Sequence, residues 1–129
     1  KLGLFASAAY LKGAQRLKTP EDLENHTCLQ LGALDWPLVN AGQRTVYKFK
    51  SPGYTTNSMM LLKRLVMRDA GIAMLSCASM REEINTQKAI RVLPGWCPPD
   101  VPVFALTETR LLPAKTRVFL EFLQNKLNA

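Results

Sequence analysis

Short apolar blocks alternate with polar stretches bearing glycine or proline along the whole chain, and spacings near 2 and near 3.6 predict alternating strands and helices. Leu2, Leu4, Phe5 and Ala6 fit a short buried strand over residues 2–6, and Ala6-Ser7-Ala8-Ala9-Tyr10-Leu11 opens a short helix that Gly13 ends. Thr19-Pro20-Glu21-Asp22-Leu23 predicts a second short helix ending near His26. Thr19 can cap free N–H groups, Pro20 is tolerated at the first helical position, and the two carboxylates suit the positive end of the helix dipole.

Strands are expected over residues 27–31, 36–40 and 45–49. The last two form a hairpin around Ala41-Gly42-Gln43-Arg44, with Val46 and Phe49 toward the core, and Ser51-Pro52-Gly53 closes it. From 57 to 68, Met60, Leu61, Leu65 and Met67 recur at helical spacing, Lys63, Arg64 and Arg68 take the other side, and Asn57 or Ser58 caps. Gly71 stops that helix, Ile72-Ala73-Met74-Leu75 reads as a buried strand, residues 79–87 as an amphipathic helix, and Ile90-Arg91-Val92-Leu93 as a strand. The proline-rich stretch 94–102 cannot be helical and reads as a crossing between two bodies. A strand over 103–107 follows, then a helix from Pro113 to about 127 with Val118, Phe119, Phe122, Leu123 and Leu127 at core-like spacing. Such alternation is the signature of an α/β fold.

Composition narrows the class. A chain of 129 residues is the size of one domain, and 47% apolar with 21% charged residues excludes disorder. Residues 1–6 are too short for a signal peptide and no window has the length of a membrane span, so a cytoplasmic protein with no membrane partner is expected. The net charge of +7 sits mainly in the first half, where residues 1–64 hold 9 basic against 4 acidic side chains, compared with 8 against 6 in residues 65–129. That excess can draw anions or nucleic acid, but Lys12, Arg16, Lys18, Arg44, Lys48 and Lys50 are scattered without a nucleic-acid motif, which favours a solvated basic face.

Catalytic chemistry is not visible. Cys28, Cys77 and Cys97 are odd in number and form no CxxC pair, which fits reduced thiols rather than a disulfide framework or zinc site. His26 and Cys28 lack the further ligands of a metal and the orienting third group of a nucleophile. Cys77 lies near the helix start at Ser79, where a thiolate is favoured, but no resolving cysteine accompanies it. Glu82 and Glu83 point apart on a helix and read as solvated. No enzyme, cofactor or metal is expected. One polar cluster stands out, Thr55-Thr56-Asn57-Ser58 at a helix start. Ordinary capping explains it, and so does a wall receptive to an anionic ligand.

The order and spacing of several motifs resemble the effector-binding domain of LysR-type transcription regulators, in the CrgA-like branch. These are Ala6-Ser7-Ala8-Ala9-Tyr10-Leu11, Thr19 to Leu23 with His26 and Cys28-Leu29, Trp36-Pro37-Leu38, Asn57 opening a helix, Asp69 to Ser76, and Leu112-Pro113 to Leu123. Three positions depart from the family: Ala8 and Ser76 where it has proline, and Asp69 where it has the first of two glycines. The resemblance implies an α/β module like a type 2 periplasmic binding protein, with two lobes and a cleft between them. Residues 1–6 and 102–106 would be crossing strands, 7–101 the second lobe, and 107–129 part of the first lobe, without the DNA-binding domain. It implies hinge positions at Leu4, Phe5, Ala6, Val103, Phe104 and Ala105. It implies effector contacts at Thr55, Thr56, Asn57, Ser58 and Phe104, with Leu31 and Gly32 on the opposite rim. The implied partners are a small-molecule effector, anionic on the capping-cluster reading, a second copy of the chain, and DNA through an absent winged helix-turn-helix. The helix over 113–127 is expected to pack on a neighbouring chain or on this lobe. A transporter's solute-binding protein shares the fold and is the alternative.

Overall fold

The computed structural model describes residues 1–100 and 113–128. The first apolar block becomes β1 (Leu2–Ser7), which sits inside a sheet because both of its faces are apolar and both edges are paired. It runs antiparallel to β6 (Ile72–Ser76) on one side and β7 (Ala89–Val92) on the other. β2 (Cys28–Leu31) pairs in parallel with β6 and with the edge strand β5 (Tyr54–Thr56), giving the order β5-β2-β6-β1-β7. The mixed sheet is the α/β architecture read from the sequence. Ser7 continues β1 and pairs with Ala89. The crossing strand at 102–106, with Val103, Phe104 and Ala105, lies outside the described residues.

Two apolar clusters cover the faces of this sheet. Leu4, Ala6, Cys28 and Ile72 point to one, where Leu23, Trp36 and Leu38 meet them. Phe5, Leu29, Ala73 and Leu75 point to the other, covered by Leu62 and Val66 of α2 (Met59–Met67). The alternation along β1 is the period of two expected of a strand buried on both sides.

The local signals act as predicted at several points. Ser7 caps α1 (Ala8–Lys12) by accepting from Tyr10 N at 3.0 Å, and Gly13 ends it. Pro20–Asn25 is a 3-10 helix whose start is tied by Asp22 Oδ2, accepting from the N–H groups of Lys18 and Thr19 at 2.8 and 2.9 Å. His26 caps the end of this helix, and its burial lowers its pKa below 6.5. Tyr10 Oη accepts from Thr27 N at 3.0 Å and lies within hydrogen-bond distance of His26 Nδ1 at 3.3 Å. A group whose folded pKa is depressed supports stability above its unfolded pKa and loses that support as pH falls toward the folded value. The urea midpoint is therefore expected to drop between about pH 7.5 and about pH 5 by more in the parent protein than in His26→Phe. Equal drops would refute the assignment.

Other elements differ from the sequence reading for stated reasons. The hairpin of β3 (Trp36–Asn40) and β4 (Gln43–Tyr47) turns through Ala41 and Gly42 alone, both at positive φ. Val46 and Phe49 are an odd number of residues apart and cannot share one face of a strand. Val46 is exposed, while Tyr47 and Phe49 stack on Trp36 with ring centroids 5.6 and 5.0 Å away. In α2 the buried stripe is Leu62 and Val66, and Met60 and Leu61 face out. The expected helix over 79–87 shortens to α3 (Arg81–Asn85). Glu83 is not solvated as expected but pairs with Lys63 at 2.7 Å, which holds its carboxyl below the usual range. The stretch after β7 returns to the hairpin, with Cys97 and Val39 exchanging backbone hydrogen bonds of 2.8 and 3.0 Å.

Asp69, standing where the family has glycine, adopts φ +60 at the end of α2. An L residue is strained there. Ser7 Oγ donates to Asp69 Oδ1 at 2.6 Å and holds the turn against α1. The helix over the C-terminal described residues is α4 (Ala114–Asn128). Among the described residues its apolar face does not pack on this lobe: Val118, Phe119, Phe122 and Leu127 are more than half exposed.

A candidate effector site at the strand ends

Parallel strands β2, β5 and β6 end on the same side of the sheet, the position where open α/β sheets place ligands. The register Leu31↔Thr56 puts the ends of β2 and β5 side by side. Gly32 N donates to Thr56 O at 2.9 Å, and a Cβ on Gly32, at φ +58, would lie 3.3 Å from Asn57 Oδ1. Leu31 and Gly32 are therefore neighbours of Thr56 and Asn57 on one edge, not the opposite rim. Phe104 lies outside the described residues.

Capping takes up two of the four polar residues. Ser58 Oγ accepts from Leu61 N at 3.3 Å at the start of α2, and Thr56 Oγ1 accepts from Ser58 N at 3.2 Å. Thr55, Asn57 and Ser58 are exposed. Beside them opens a pocket of about 270 Å³, lined by Leu2, Leu29, Leu31, Leu34, Asp35, Trp36, Pro37, Met59, Leu62, Met74, Pro98 and Pro99. Most of this lining was not singled out from sequence. Trp36, Met59, Met74 and Pro98 come from four segments, and no local pattern signals that they converge. Gln30, buried at the end of β2, donates from Nε2 to Leu34 O at 3.4 Å and props the turn that carries Leu34. A larger concavity of about 590 Å³ runs along one face of α4 alone and is an open helix surface.

Leu4, Phe5 and Ala6, where hinges are expected, are fully buried in β1. Cys28 Sγ and Tyr47 Oη both donate to Leu23 O, at 3.6 and 3.5 Å. Burial pushes the Cys28 thiol up to about 11 and raises the Tyr47 hydroxyl as well, so both stay neutral at physiological pH. Cys77 precedes α3 by four residues and so is not at its first turn. Alkylation at about pH 8 is expected to modify Cys77 and Cys97, both partly exposed, at least about tenfold faster than Cys28. Mass spectrometry of the time course reads this, and equal rates at Cys28 would contradict it. Among the described residues no cluster of His, Cys, Asp and Glu could hold a metal, and no helix is long and apolar enough to cross a membrane.

Comparison with known proteins agrees with this geometry. The regulatory domain of CrgA, a LysR-type transcriptional regulator from Neisseria meningitidis, is 28% identical with a TM-score of 0.69, over 95% of this chain and 63% of that one. The regulatory domain of AphB from Vibrio vulnificus is 25% identical with a TM-score of 0.71, over 77% of this chain and 51% of that one. The HTH-type transcriptional regulator PtxR of Pseudomonas aeruginosa is 30% identical over 95% of this chain and 40% of its own length. The chain spans less than half the length of the curated relatives it matches. These relatives are regulators, neither transporters nor enzymes. The family described as the LysR substrate binding domain matches residues 1–128, and the chain belongs to that family.

Proposed function

We propose that this chain is the effector-sensing part of a LysR-type transcription regulator, works in the cytoplasm, and catalyses no reaction. A small molecule settles where Leu31, Gly32, Thr55, Thr56, Asn57 and Ser58 meet, with Phe104 as a further contact. Residues 7–101 act as one lobe and 107–129 as part of the other, and the strands at 1–6 and 102–106 serve as hinges through Leu4, Phe5, Ala6, Val103, Phe104 and Ala105. A homo-oligomer, using the exposed face of α4 as one contact, carries the shift to winged helix-turn-helix heads elsewhere in the protein. DNA is bound only there. The effector acts through the difference in its affinity for two lobe arrangements.

The observation that carries this reading is the convergence of Gly32 and Asn57 at the strand ends, beside a pocket, in a chain of a substrate-binding family. Gly32→Ala places a Cβ against Asn57 at a φ that disfavours alanine. In the full regulator it is expected to leave operator binding intact and to weaken the effector response about tenfold, equivalent to ~1.4 kcal/mol. Operator footprinting with and without small-molecule extract reads both. An unchanged response in Gly32→Ala, or no extract that alters occupancy in the parent, would overturn the reading.

A further inference from the structure

The pocket beside the strand ends is apolar almost throughout. Leu31, Leu34, Trp36, Met59, Met74 and Pro98 form its walls, and its one charged side chain, Asp35, already accepts from Phe49 N at 3.2 Å. The nearby hydroxyls of Thr56 and Ser58 accept from Ser58 N and Leu61 N, and neither residue lines the pocket. A charged group moved from water into such a lining loses its hydration without gaining partners, whereas an apolar group gains by leaving water. Trp36 and Leu29 are buried and fix the floor, while Met59 and Met74 are unbranched and adapt to the shape of an occupant. About 270 Å³ exceeds the roughly 150 Å³ cavity that admits benzene, so it holds a six-membered ring with a short substituent and excludes a helix or strand.

We infer that the effector carries an aromatic or branched aliphatic body, buried against Leu31, Trp36, Met59 and Met74, with its polar end directed away from this wall. This rests on the effector-sensing reading and replaces the expectation that the capping cluster receives an anionic group. The effector's charge, where it has one, does not determine how it is held here.

The chain's five methionines supply the test, because Met59 and Met74 line the pocket and Met60, Met67 and Met80 do not. With the methionine methyls labelled with carbon-13, the protein is titrated with benzyl alcohol, benzoate and succinate and followed by NMR. Both ring compounds are expected to shift Met59 and Met74 saturably, with dissociation constants on the order of 1 mM, and to leave the other three still. Succinate should shift none. Leu34→Asp, at the exposed lip, should weaken both ring compounds about tenfold while the spectrum keeps its folded dispersion. The inference is overturned if succinate shifts Met59 and Met74 as far as benzoate does, or if the ring compounds move Met60 equally. If succinate moves the backbone signals of Gly32 and Asn57 while the ring compounds leave Met59 and Met74 still, the apolar body is overturned and the sensing site stands. If no probe moves any of these four residues, both readings fall.

Discussion

Gly71→Ala is expected to destabilise the protein by about 3 kcal/mol, a large fraction of a small domain's stability. Gly71 sits at φ +149 between α2 and β6, and a Cβ there would come within 2.2 Å of the Thr27 carbonyl oxygen. That oxygen is already the acceptor for Ile72 N at 2.9 Å, the bond that starts the pairing of β6 with β2. The added methyl cannot be accommodated by a side-chain rotation, because what it meets is backbone. Urea denaturation of Gly71→Ala and Gly13→Ala makes a paired measurement. Gly13 has an ordinary φ of −99 and a Cβ there meets nothing within 4 Å, so its change should stay within about 1 kcal/mol of neutral. Similar midpoints for the two variants would show that the close approach at Gly71 does not constrain the fold.

Phe5→Ala should cost about 4 kcal/mol, since Phe5 is the largest fully buried side chain among the described residues. Phe5 is fully buried at the centre of β1, and β1 is paired on both edges, so the strand cannot close inward to fill the space. The ring packs in the cluster that α2 covers through Leu62 and Val66. A cavity there loosens α2 and with it the wall formed by Met59. Thermal melting of the purified chain reads the loss, and a shift no larger than that of an exposed control such as Val46→Ala would contradict the packing described.

Most of the architecture was legible because buried strands and capped helices carry local signals. Thr19-Pro20 announces the 3-10 helix, and the uniformly apolar 72–75 announces a strand covered on both faces. The phase of an element was less legible. Met59-Met60-Leu61-Leu62 is apolar at four consecutive positions, so the sequence leaves open which two turn inward, and docking on β6 decides for Leu62 and Val66. In β4, the two-residue turn sets the pairing Trp36↔Tyr47, and that register sends Val46 to solvent. The candidate site was half legible. Thr56, Asn57 and Ser58 stood out as polar residues at a helix start. The apolar pocket beside them did not, because its walls come from β1, the turn after β2, α2, β6 and the segment after β7, and only the folded chain brings these together. The position of Asp69 was marked as a departure, and its explanation needed Ser7, 62 residues away.

The paired hydrogen bonds between Val39 and Cys97 join the hairpin that supplies Trp36 and Pro37 to the segment that supplies Pro98 and Pro99. These two stretches lie far apart in sequence, yet neither can leave the pocket wall without breaking the same two bonds. In hydrogen-exchange terms the amides of Val39 and Cys97 belong to one opening unit and should exchange at a common rate. A molecule that fills the pocket slows both together, so the protection of two backbone protons reports on the occupancy of an apolar site that neither residue lines.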